Sequence, residues 1–127
     1  MKTFVTTLLT IAIIDAGWLF SMGGWYKTKL AHLFASSPNF IPAILFYLIY
    51  AAGLSYFVIN PAVKNGMGWM QIAATGAFFG LVAYATYDLT NQATLKSWPF
   101  IVTFVDMAWG AVLSAVVSLF VVWISRS

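Results

Sequence analysis

Apolar residues run through this chain in four long blocks separated by short polar breaks. The blocks are Phe4 to Gly23, Ile41 to Ile59, Met70 to about Leu89 with room to run on to Thr94, and Phe100 to Ile124. Each approaches or exceeds the roughly 20 residues that a helix needs to cross the hydrocarbon core of a bilayer. Strand-like alternation is absent, and a helix satisfies all of its backbone groups within lipid. The breaks carry stop and start chemistry. Ser36, Ser37, Pro38 and Asn39 precede the second block. Pro42 falls in its first turn, where a missing amide donor costs little. Asn60-Pro61 is expected to end that block and Asn65-Gly66 to turn the chain back. Ser97 is expected to cap the fourth helix, with Pro99 near its start. The pattern predicts an all-α, integral membrane four-helix bundle, a single transmembrane domain over residues 1–127.

Composition agrees and narrows the function. Hydrophobic residues make up 62% and charged residues 7%, against roughly 25% charged in a typical soluble domain. So few charges could not cover a soluble surface, which excludes a soluble enzyme, a nucleic-acid-binding module and a disordered segment. The absence of cysteine excludes disulfides, thiol catalysis and iron–sulfur clusters. The first block follows Lys2 as a signal peptide would, but Asp15 interrupts it and no soluble domain follows, so it is read as retained. Trp25 and Trp98 fall at one predicted interface and Trp69 and Trp123 at the other, as in an aromatic belt. Trp18 and Trp109 remain inside. Four crossings put both termini on one side, side A, with Lys2, Lys64 and Arg126; side B carries Lys27, Lys29 and Lys96. Three against three barely engages the positive-inside rule. Side A is taken as cytoplasmic, and the tie also permits insertion both ways, hence a homodimer or higher homo-oligomer.

The acidic residues carry most of the information. There are three, Asp15, Asp88 and Asp106, and all lie within predicted spans. An aspartate at the centre of a spanning helix costs roughly 2.5–3.5 kcal/mol to insert. Their depths agree. Counting from Gly23, Lys96 and Pro99 at side B, each lies about 10–12 Å below the interface at the helical rise. Neighbours at helical spacing are small or polar: Gly76, Gly80, Tyr84, Asp88 and then Asn91, with Tyr87 beside them; Thr103, Asp106, Gly110, Ser114; Thr7, Ile11, Asp15 and Met22. The second span offers Tyr47, Tyr50, Leu54 and Phe57 along one side. Asp15-x-x-Trp18 and Asp106-x-x-Trp109 share a spacing, and an indole N–H could donate to a carboxylate on another helix.

Two readings of the acids follow. In the structural one each accepts hydrogen bonds and locks helix to helix, although such bonds average only about 0.6 kcal/mol in one membrane system. In the functional one they line a polar cavity near side B that binds a proton, a cation or a headgroup, since intramembrane acids commonly mark sites. Carboxyls this close cannot all ionise freely. Between the first two spans, Lys27, Lys29 and His32 lie among Trp25, Tyr26, Leu30, Leu33 and Phe34. This segment reads as an interfacial helix touching lipid phosphates, or as a lid over the cavity. Thr86, Thr90 and Thr94 read as packing or capping groups. No lysine within a span supports a retinal Schiff base, and one loop histidine cannot supply two haem ligands. Three aspartates and one histidine make at best a weak divalent-metal site, and no cofactor is expected.

The string Ala83-Tyr84-Ala85-Thr86-Tyr87-Asp88-Leu89-Thr90-Asn91 leads into Ala93-Thr94-Leu95 and Trp98-Pro99. With Phe46-Tyr47-Leu48-Ile49-Tyr50, Asp106-x-x-Trp109-Gly110 and Asp15-x-x-Trp18-Leu19, it resembles a bacterial family of four-helix membrane proteins, domain of unknown function 2177. The resemblance runs from about Asp15 to Gly110. It implies a four-span protein of the bacterial inner membrane and brings no activity with it. Small multidrug exporters and fluoride channels share the architecture, but their motifs are absent.

The expected site is therefore Asp15, Asp88 and Asp106, supported by Tyr84, Tyr87, Asn91, Trp18 and Trp109, with membrane lipids as partners and no nucleic acid. The leading expectation is a small proton- or cation-coupled transporter or channel-like protein. The alternative is a lipid-binding or accessory membrane protein without transport. A membrane enzyme with an aspartate as general base is the least favoured, because no nucleophile or metal set accompanies the acids.

Overall fold

The computed structural model describes residues 1–33 and 39–126. Its four long helices are α1 (Lys2–Leu30), α2 (Phe40–Asn65), α3 (Trp69–Thr94) and α4 (Phe100–Arg126), each long and apolar enough to cross a membrane. Among the described residues there is no strand.

Several ends differ from the sequence expectation, for physical reasons. The first helix does not stop at Gly23. It runs through Gly23-Gly24 to Leu30, because two glycines cost about 1 kcal/mol each against alanine and neither removes a hydrogen bond. Trp25, Tyr26 and Leu30 are therefore the last turns of α1 and not a separate interfacial helix; Leu33 lies in the following turn. Phe34, Ser36, Ser37 and Pro38 lie outside the described residues. Asn39 caps α2, its side-chain oxygen accepting from the Ile41 amide at 3.1 Å. Asn60-Pro61 does not end α2. The chain passes through a π-helical segment, Ser55–Ile59, in which the Asn60 amide reaches back to the Ser55 carbonyl, and then continues to Asn65. A proline deprives the preceding turn of a donor and crowds its carbonyl, and the wider π turn relieves both. The wider turn passes the buried face to Val58 and Ile59 and leaves Phe57 exposed. Gly66 reverses the chain in the left-handed region, at φ 62°. Ser97 is not a helix cap: it too is left-handed, at φ 61°, and α4 begins only at Phe100.

Lipid tails are as apolar as leucine, so the helices are held by close packing and polar contacts and not by the hydrophobic effect. The closest pair is α3 with α4. Gly80 faces the Gly110 carbonyl and the Ser114 hydroxyl so tightly that no Cβ fits, and Gly76 meets Ser114, Ala115 and Ser118. Towards side A this seam continues into a core of Ile11, Leu54, Ile59, Ile72, Leu113, Val117 and Val121. There the Arg126 guanidinium donates to the Ala62 carbonyl (3.2 Å) and the Met67 carbonyl (2.7 Å) and sits 4.8 Å over the Trp69 ring. At side B, Leu30, Trp98 and Val102 form a second cluster with Trp25 and Tyr26 against it. His32 Nε2 donates to the Ser97 carbonyl at 3.0 Å, joining the two loops of that side. Towards side B, α2 leans on α1 and stands off from α3. Rings bridge the gap: Tyr50 stacks on Phe79 at 6.0 Å, and Phe46 meets Tyr84 edge-on at 6.4 Å.

Candidate functional site

A cavity of about 240 Å³ lies between the helices on the side B half, and Asp15, Asp88 and Asp106 all line it. Trp18 and Tyr26 from α1, Tyr84 and Tyr87 from α3, Trp98 ahead of α4 and Trp109 on it complete most of its wall. Helical spacing delivers these groups. Asp15, Trp18 and Tyr26 recur at three and then eight residues on one face of α1, while Tyr84 and Asp88 stand one turn apart on α3. Asn91 does not line the cavity; it lies against Tyr87.

The three carboxyls have different surroundings. Both oxygens of Asp15 are bonded: the Trp109 indole N–H donates to its Oδ1 at 2.9 Å, and the Tyr47 hydroxyl donates to its Oδ2. It ties α1 to both α2 and α4. Asp106 accepts from the Tyr26 hydroxyl at 3.0 Å, and Tyr26 in turn accepts from the Trp18 indole at 3.3 Å. The two Asp-x-x-Trp pairs thus cross over, each indole serving the other helix's acid, directly for Asp15 and through a phenol for Asp106. Their indoles stack face to face, 4.2 Å apart and 5° from parallel.

Asp88 is 0% exposed. Among the described residues neither of its carboxyl oxygens has a hydrogen-bond donor. Its polar neighbour is another acceptor, the Asp106 carboxyl, within hydrogen-bonding reach. Two carboxyls can bond only through a proton held between them, and two bare charges there would repel. Among the described residues no three ligating side chains converge closely enough to hold a metal ion. Asp15 therefore stands apart, and the carboxyl-to-carboxyl contact is a pair, Asp88 with Asp106.

The side B roof is held by Trp98 and Thr103 together with Gln92, a residue that the sequence reading did not single out. Trp98 Nε1 donates to the Thr103 hydroxyl (2.9 Å), which donates to Gln92 Oε1 (2.8 Å). Gln92 Nε2 donates in turn to the Trp98 carbonyl at 2.9 Å. Tyr26 was hidden because the chain was expected to leave the membrane at Gly23, although its spacing from Asp15 and Trp18 continues their face. Beside the cavity a cleft of about 580 Å³ opens between α2 and α3, lined by Pro42, Ala43, Phe46, Ala83, Tyr84, Tyr87 and Asp106. Three of these residues, Tyr84, Tyr87 and Asp106, also line the cavity, so the two spaces meet at Asp106.

Four apolar spanning helices that gather carboxyls from three of their number define a multi-pass membrane protein with an intramembrane acid cluster. Residues 1–123 match the family described as Predicted membrane protein (DUF2177), and the chain belongs to that family. No curated protein and no solved structure matches it.

Proposed function

We propose that the chain is a small proton- or cation-coupled transporter of the bacterial inner membrane, with Asp88 and Asp106 as its exchangeable site and Asp15 as the tie that holds the helices around them. The observation that carries this reading is Asp88: a fully buried carboxyl with no donor on either oxygen among the described residues, beside a second acid. Such a group is costly unless something neutralises it. One proton shared by the pair, or one monovalent cation in its place, leaves the same net charge in the cavity. Exchange of one for the other therefore leaves the net charge unchanged, and the expected stoichiometry is one to one.

Proteoliposomes enclosing a pH-sensitive dye test the reading. An imposed gradient of the transported cation should move protons in the wild-type protein. Asp88→Asn and Asp106→Asn should abolish that movement, and Asp15→Asn should leave it measurable in whatever fraction folds. Movement that survives both pair substitutions refutes the proposal. A second reading, lipid binding without transport, is supported by the cleft that opens sideways at Asp106. It predicts a retained lipid in a native mass spectrum that Asp106→Asn loses, with no flux. The balance of basic residues between the two sides supports assembly as a homodimer, to be read from the same spectrum.

A further inference from the structure

The cleft between α2 and α3 has a composition that a site for a small hydrated ion does not need. One wall is Pro42, Ala43 and Phe46, the other Ala83, Tyr84 and Tyr87, and the carboxyl of Asp106 lies at their meeting with the cavity. At about 580 Å³ it falls in the roughly 300–1,000 Å³ range of sites for drug-sized organic ligands. Aromatic faces attract a cation and give nothing to an anion. In the cleft itself an inorganic ion stripped of water would find, among the described residues, one carboxyl and two phenols on otherwise apolar walls, short of the six or more oxygens that cations such as calcium and magnesium gather. Towards the side B water, Leu30 and Trp98, both nearly fully buried, roof the cavity, and the Gln92 and Thr103 bonds fix Trp98 in place. The wide approach is lateral, from the lipid.

We propose that the ligand is an amphiphilic monocation, an ammonium-type or similarly soft positive charge on an apolar body, entering sideways between α2 and α3 with its charge towards Asp106 and the fully buried Asp88. The body replaces lipid against Phe46, Ala83 and Tyr84, and the charge replaces the proton shared by the acid pair. This rests on the exchange site proposed above and names what exchanges there. The same chemistry could come from a free amphiphile or from the amino headgroup of a membrane lipid.

The test is equilibrium binding of radiolabelled tetraphenylphosphonium to the full chain in nanodiscs, made either of phosphatidylglycerol alone or with phosphatidylethanolamine added. Saturable binding is expected. Ala43→Trp and Ala83→Trp fill the cleft from opposite walls without touching an acid, so one can report if the other fails to fold. Each folded variant should weaken binding at least tenfold, Asp106→Asn should abolish it, and ethylammonium, which has the charge but no apolar body, should compete poorly. Binding that falls tenfold when phosphatidylethanolamine is present identifies the aminolipid as the occupant, and equal binding in both identifies a free amphiphile. Absence of saturable binding in both lipids, or binding unchanged in the tryptophan variants, overturns the proposal. The infrared carbonyl band of a protonated carboxyl separates the two levels. If binding fails but Asp88→Asn removes that band, the exchange site stands and only the ligand class falls. If neither pair substitution alters the band, both fall.

Discussion

The two halves of the bundle are built on opposite principles. On the side A half, α3 and α4 meet at backbone distance through Gly76, Gly80, Gly110 and Ser114, and Val117, Val121 and Ile72 fill what remains. On the side B half the same helices carry aspartates, tyrosines and tryptophans around open space. The first half holds the helices in place by contact, and the second uses that fixed geometry to keep costly groups in lipid. The difference teaches where polarity is structural. Asp15 sits at the boundary with both oxygens bonded, one turn from the dry Ile11. Asp88, within the polar half, has no donor among the described residues.

The comparison can be broken most readily at the seam. Gly80→Leu would drive a side chain into the Gly110 carbonyl and the Ser114 hydroxyl. Overpacking of this kind costs about 3 kcal/mol or more in a tight core, so unfolding in mild detergent, followed by circular dichroism, should show little folded protein. Next in size, Asp15→Leu strands the Trp109 indole and the Tyr47 hydroxyl. At about 1–3 kcal/mol for a stranded buried donor, the same assay should show a clear loss of stability. An Asp15 variant as stable as wild type would show that the boundary acid ties nothing.

The sharpest contrast is Asp88→Leu. It removes a buried carboxyl that has no donor among the described residues, so stability should stay within about 1 kcal/mol of wild type or rise, as when an unpartnered polar group gives way to an apolar one, while exchange is lost. A large destabilisation would put Asp88 in the same structural class as Asp15. Smallest of all, Trp18→Phe keeps an aromatic face against Trp109 but loses the bond to Tyr26. A cost of about 0.5 kcal/mol is expected, and only a double-mutant cycle with Tyr26→Phe would resolve it.

The four crossings were legible because a long apolar run between prolines and asparagines admits few other structures. The gathering of the acids was legible in part: counting residues from side B placed Asp15, Asp88 and Asp106 in one half of the bundle, and all three line one cavity, although the count for Asp15 began at Gly23 and α1 runs on to Leu30. What counting could not supply was partnership. Nothing in the residue string says that Trp109 serves Asp15 while Trp18 serves Asp106 only through Tyr26, because rotation and tilt of packed helices decide such pairs. The π segment was hidden for a similar reason. Asn-Pro is an ordinary stop signal, and only the wall of neighbours around Val58, Ile59 and Ala62 makes it better for the chain to widen a turn than to leave the bundle.

The crossed indoles also have an optical consequence. Two identical chromophores held 4.2 Å apart and nearly parallel share their electronic excitation, so their ultraviolet absorption splits and any small rotation of one against the other is written into the sign and size of a dichroic couplet. Trp18 and Trp109 both border the cavity. The bundle therefore carries a built-in gauge of its own interior, readable without a label and erased by replacing either indole.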